Sequence, residues 1–107
     1  MRKMIDNVID EMKKTAEQLW KCEENSYQTV KEYMAGWQQV LQEMLKQMCQ
    51  WVENGEDIPL DVILYQLENF NTALVKKDDM QLADVLYFEL QETLKYYKDL
   101  LVAYDGK

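Results

Sequence analysis

Apolar residues recur along this chain in steps of three and four, and the register fails at three places. The first stripe is Ile5, Val8, Ile9, Met12, Ala16, Leu19 and Trp20, with Lys13, Lys14, Glu17 and Gln18 set off it. That spacing lays one apolar face along a helix and predicts α-helix over 3–23. The register lapses through the polar run from Lys21 to Ser26. It resumes as Tyr27, Val30, Met34, Trp37, Leu41, Met44, Met48 and Trp51, which predicts a second helix over 26–53. One unbroken rod through both stripes would need a register shift that no residue compensates. Asn25 followed by Gln28 offers instead the N-cap and reciprocal acceptor of a capping box.

Asn54-Gly55 supplies a left-handed stop, and Pro59 falls where a missing first-turn N–H costs nothing. A third helix is predicted over 58–76, apolar at Leu60, Ile63, Leu64, Leu67, Phe70 and Leu74. It ends at Lys76-Lys77, whose charge complements the carbonyl end of the helix dipole. Asp78 then caps a fourth helix over 79–104, carrying Met80, Ala83, Tyr87, Leu90, Leu94, Tyr97, Leu101 and Tyr104. The start signals Asn25-Ser26-Tyr27-Gln28 and Asp78-Asp79-Met80-Gln81 lie 53 residues apart, and the stripe from Ile5 to Lys21 shifts by 55 onto Leu60 to Lys76. The chain reads as two similar hairpins, whether or not they arose by duplication. Short connections between long helices enforce antiparallel neighbours, so the expected fold is all-α, an up-down-up-down four-helix bundle filling 1–107 as one domain.

Charge narrows the partners. Twelve Lys and Arg stand against twenty Asp and Glu, a net charge of −8 that repels phosphate backbones and anionic lipid surfaces. Nucleic acid and membrane are therefore excluded as expected partners. Residues 54–107 hold most of the excess, with five basic and eleven acidic side chains. No run approaches the roughly 18 apolar residues a bilayer crossing needs. Arg2 and Lys3 are followed by Asp6, Asn7, Asp10 and Glu11 rather than by the apolar core of a secretion signal. Cys22 at the first turn and Cys49 at the far end of the second helix are too distant to bridge, so free thiols and a cytoplasmic setting are expected.

Catalytic chemistry finds little to work with. The chain has no His, which removes the usual zinc ligand, the commonest general base and the imidazole of every nucleophilic triad. Three glycines make no phosphate-binding loop. No metal, no cofactor and no enzymatic activity are expected. Asp84 and Glu89, set among Ala83, Val85, Phe88 and Leu90, are the best remaining carboxylates for an active site in the bundle core, although both fall outside the main stripe. Met34, Met44 and Met48 beside Trp37 and Trp51 sit at core positions; the other reading of so many thioethers is an adaptable groove for a peptide helix.

The second hairpin carries more apolar surface than an isolated bundle needs. Leu82, Val85 and Phe88 lie away from the fourth helix's seam, and Val62 and Tyr65 lie off the third helix's seam. These five are the candidate partner interface, to be covered by a second copy in a homodimer or by another helical protein. An interaction module is thus the expected function. The alternatives are an export-chaperone-like binder of an amphipathic client helix, and a small-ligand or enzymatic site in the core.

The run Ala73-Leu74-Val75-Lys76-Lys77-Asp78 through Leu82-Ala83-Asp84-Val85-Leu86-Tyr87-Phe88-Glu89-Leu90 resembles a pattern in small uncharacterised helical proteins of bacteria, and Met34-Ala35-Gly36-Trp37 is similar to a second segment of them. The resemblance covers about a third of the chain. It implies a helical bundle of unassigned function and carries over no catalytic residue.

Overall fold

The computed structural model describes residues 2–105, and among these it is helical throughout, without strands. Helix α1 is Arg2–Trp20, α2 is Ser26–Glu53 and α3 is Leu60–Lys76. The fourth rod is composite: α4 (Asp79–Asp84) runs through a π-helical segment (Val85–Leu90) into α5 (Gln91–Asp105). Four helical rods follow, as the periodicity requires. None is long and apolar enough to cross a membrane.

Three of the turns share one device. At the end of α1, Cys22 adopts a left-handed φ of 55°, with its N–H on the Leu19 carbonyl and the Glu23 N–H on the Gln18 carbonyl. Gly55 does the same after α2, at φ 95°, donating to Val52 while Glu56 donates to Trp51. Lys77 repeats it after α3, at φ 53°, donating to Leu74 while Asp78 donates to Ala73. Each is a Schellman closure that satisfies carbonyls left over at a helix end. It stops α1 at Trp20, three residues before the sequence-based limit, because the left-handed residue there is a cysteine and not the glycine that announces such a stop.

The two start signals diverge. Asp78 has extended backbone, φ −87° and ψ 96°, and its carboxylate accepts the Gln81 N–H at 3.1 Å. Asn25 sits at φ −102° and ψ 14°, a conformation from which its side chain makes no cap hydrogen bond. The expected Asn25 capping box is therefore absent; its carbonyl instead accepts from the Thr29 hydroxyl and N–H. Helix α3 begins at Leu60, with Pro59 as its cap residue and Ile58 packed into the core just before it.

The core is continuous. Ile5, Met12, Leu19, Trp37, Met44, Met48, Leu82, Leu86, Leu90, Leu94 and Tyr97 are essentially inaccessible. Tyr27 and Met34, expected in the α2 seam, are only partly buried. The fourth rod departs further. Met80 is 56% exposed, whereas Leu82 and Val85, expected outside the seam, are buried at 0% and 2%. Two causes combine. The rod is wedged between α1 and α3, which both pack against α4 and the π segment, so a wide arc of it is covered. A five-residue step also overshoots an α-helical turn by about 140°, and the wider π turn reduces that overshoot, swinging Val85 towards the column of Leu90.

Candidate interaction surface

The five residues expected to form one docking strip do not lie together. Val62, Tyr65 and Phe88 are exposed at 50%, 63% and 62%, but Leu82 and Val85 are core residues. Phe88 lies on the α1 side of the fourth rod, its ring 5.8 Å from Trp20 and 5.0 Å from Tyr87. Val62 lies on the α3 side, beside Gln66, Thr93 and Tyr96. The strip must therefore be redrawn.

Helix α3 is where unpartnered apolar surface concentrates. Of its 17 residues only Ile63, Phe70 and Ala73 are buried. Leu64, Tyr65 and Val75 stand in solvent at 53%, 63% and 84%, while Leu60, Leu67 and Leu74 are half-buried. Its close neighbours are α4 and the π segment, with the Gln66 side chain hydrogen-bonded to Thr93 of α5. Towards α2 the packing is loose. The Trp37 indole donates to Glu11 at 3.0 Å and so ties α2 to α1, and Phe70 reaches across with its ring 6.4 Å from Trp37. Either side of that bridge the backbones stay apart.

Two hollows occupy the gap in succession. The first, of about 440 Å³, is lined by Tyr27, Val30, Lys31 and Met34 from α2 and by Leu74 and Lys77 from the end of α3. The second, of about 240 Å³, lies between Gln38, Leu41, Gln42 and Leu45 of α2 and Leu67, Phe70 and Asn71 of α3. Together they form a seam with an aliphatic floor and a rim of Lys31, Lys77, Gln38, Gln42 and Asn71. The Tyr27 hydroxyl is buried there without a hydrogen-bond partner. Burial first, then the Asp79 and Asp78 carboxylates, push its phenol above the usual range. Among the described residues, neither Lys31 nor Lys77 joins an ion pair.

Sequence reasoning missed this seam because it counted one stripe on α2. Tyr27, Met34, Leu45 and Val52 form a second, flanking stripe of half-buried side chains. Leu45 and Val52, apolar yet off the main register, were the available signal. Met44, Met48, Trp37 and Trp51 belong to the core, so of the thioethers singled out only Met34 faces the opening.

The candidate carboxylates Asp84 and Glu89 both fall outside the buried core. Asp84 is exposed and accepts a hydrogen bond from the Trp20 indole at 3.3 Å, and Glu89 is half-buried on the next turn. Among the described residues no three His, Cys, Asp or Glu side chains gather as metal ligands. Cys22 and Cys49 are free thiols, both exposed. No protein-family model matches the chain, and no curated protein and no solved structure proves similar to it.

Proposed function

We propose that this chain is a non-catalytic protein–protein interaction module, an antiparallel up-down-up-down bundle of two hairpins that meets its partner through α3. The bundle reading draws on matched ends. Asp6 and Trp20 of α1 pair with Lys98 and Asp84 of the fourth rod, and Tyr27 and Leu45 of α2 share hollows with Leu74 and Leu67 of α3. The interaction reading rests on one observation above all: a helix with apolar residues at more than half its positions buries only three side chains. Contiguous apolar surface left in water is the mark of a face meant to be covered.

A photo-cross-linking benzoyl-phenylalanine at position 65, compared with one at Glu17 on the exposed side of α1, tests the reading in the source cell. An adduct of discrete mass from position 65 alone is expected. Equal labelling from both positions, or none from 65, defeats it. A second copy of the chain is one partner that Val62 and Tyr65 admit. An adduct of twice the 12.8 kDa chain, with a matching mass by light scattering, identifies that homodimer.

A further inference from the structure

Closing a ring of four rods requires each to pack against both neighbours, and here three sides are closed while the α2–α3 side is not. Helix α1 packs on α2 and on the fourth rod, and the fourth rod packs on α3. The open side is bridged at its middle by the Trp37–Phe70 pair. Along it run the half-buried Tyr27, Met34 and Leu45 of α2, faced by Leu67 and Leu74 of α3. On α2 the lined stretch from Tyr27 to Leu45 is about 27 Å long, the length of an α-helix of about 18 residues. Aliphatic side chains projecting at i, i+3, i+4 and i+7 from such a helix would meet the two successive hollows on either side of the Phe70 bridge.

The rim sets a polarity. In a chain of net charge −8, Lys31 and Lys77 both border the first hollow, and among the described residues neither has a carboxylate ion-pair partner. Asp78 and Asp79 lie near Tyr27, but among the described residues neither pairs with Lys31 or Lys77, and the Asp78 carboxylate accepts the Gln81 N–H. The second hollow is bordered by the neutral amides of Gln38, Gln42 and Asn71. We infer that the α2–α3 seam docks an amphipathic α-helix of a protein partner, its aliphatic stripe in the two hollows and a carboxylate-bearing end against Lys31 and Lys77. This rests on the interaction-module reading and names its ligand class. Such an occupant closes the fourth side of the ring and covers the leucines that α3 leaves half-wet, with Met34 adapting to the side chain above it.

The test uses fluorescein-labelled 18-residue designed helices titrated against the full chain by fluorescence anisotropy. One carries a Leu/Met stripe with two Glu at one end, a second replaces those Glu with Lys, and a third has the first peptide's composition scrambled. The first should bind, the second at least three-fold more weakly, and the scrambled one at least ten-fold more weakly. Met34→Gln with Leu45→Gln should weaken the first peptide at least ten-fold with the helical circular dichroism unchanged. Should that pair unfold the chain, Lys31→Glu with Lys77→Glu decides: both rim lysines are exposed, and the reversal should transfer preference to the Lys-ended peptide. Equal binding of scrambled and patterned peptides, or a preference that charge reversal leaves unmoved, overturns the inference. So does a seam occupied by a second copy, read as a doubled mass with Met34 protected from oxidation, or one that takes dodecanoate and no peptide. A position-65 adduct with no peptide binding leaves the module reading standing and removes only this one.

Discussion

Helices α1 and α3 are nearly matched in length, 19 and 17 residues, and the sequence treats them as equivalent first members of two hairpins. The fold uses them differently. α1 buries Ile5, Val8, Met12, Thr15, Ala16 and Leu19 along one stripe, presents charge elsewhere, and is packed by α2 on one side and the whole fourth rod on the other. α3 carries more apolar residues yet leaves Val62, Leu64, Tyr65 and Val75 in water. A helix whose apolar residues fit one narrow stripe can be completed inside a monomer. One that is apolar over a wider arc keeps part of that arc in water within the monomer.

Truncation in the two helices is the most forceful way to break this contrast. Met12→Ala removes a fully buried side chain from the closed side of the core and should cost about 2–5 kcal/mol in urea unfolding. Leu64→Ala and Val75→Ala should each change stability by less than about 0.5 kcal/mol, because nothing in the monomer packs over them. A cost above about 2 kcal/mol for either would place α3's outer residues inside a folded core and erase the distinction.

The helix ends sharpen it at smaller scale. Asp78→Ala deletes a cap that accepts the Gln81 N–H and should cost about 1 kcal/mol, while Asn25→Ala, which loses no cap bond, should cost no more than a few tenths. Lys77→Gly relieves a left-handed non-glycine residue and should gain about 0.5–1 kcal/mol by thermal or urea denaturation. Equal losses at positions 25 and 78 would mean that the two hairpins open alike after all.

Much of the architecture was legible in the pattern. Four rods and the break near Asn25 follow from where the apolar register holds and lapses, and the Gly55 stop and the Asp78 cap follow from residue types whose backbone preferences are strong. What escaped was set by tertiary packing. Cys22 and Lys77 turn left-handed because neighbouring carbonyls need closing, which no residue preference announces. Leu82 and Val85 lie inward because the fourth rod is covered from two sides and passes through a π turn, neither of which a three-and-four count contains. For the candidate surface, Val62, Tyr65 and Phe88 were found as exposed apolar residues, but their grouping was not: Phe88 falls on the far side of the rod from the other two. The seam itself is loose packing between α2 and α3 on either side of the Trp37–Phe70 contact, and a helix's own stripe cannot report how closely its neighbour approaches.

The smallest predicted effect bears on the open seam directly. Tyr27 holds its proton more tightly in the folded chain than in the unfolded one, first because it is partly buried at the head of the seam and then because Asp79 and Asp78 face it. A raised folded value means that its contribution to stability is intact below the unfolded value, near pH 10, and is lost as pH rises through the folded value. Tyr27 is only partly buried and borders an open hollow, so solvent screening keeps the loss well under about 1 kcal/mol. Urea midpoints at pH 9 and pH 11 should therefore fall slightly further for the wild type than for Tyr27→Phe. Closing the seam over Tyr27 with a docked helix deepens the desolvation of the phenol, so the same comparison in the presence of the Glu-ended peptide should widen the gap. A gap that stays the same with saturating peptide would place the peptide elsewhere on the bundle, since the wild type and Tyr27→Phe share Lys31 and Lys77 and differ only in the phenol that lines the first hollow.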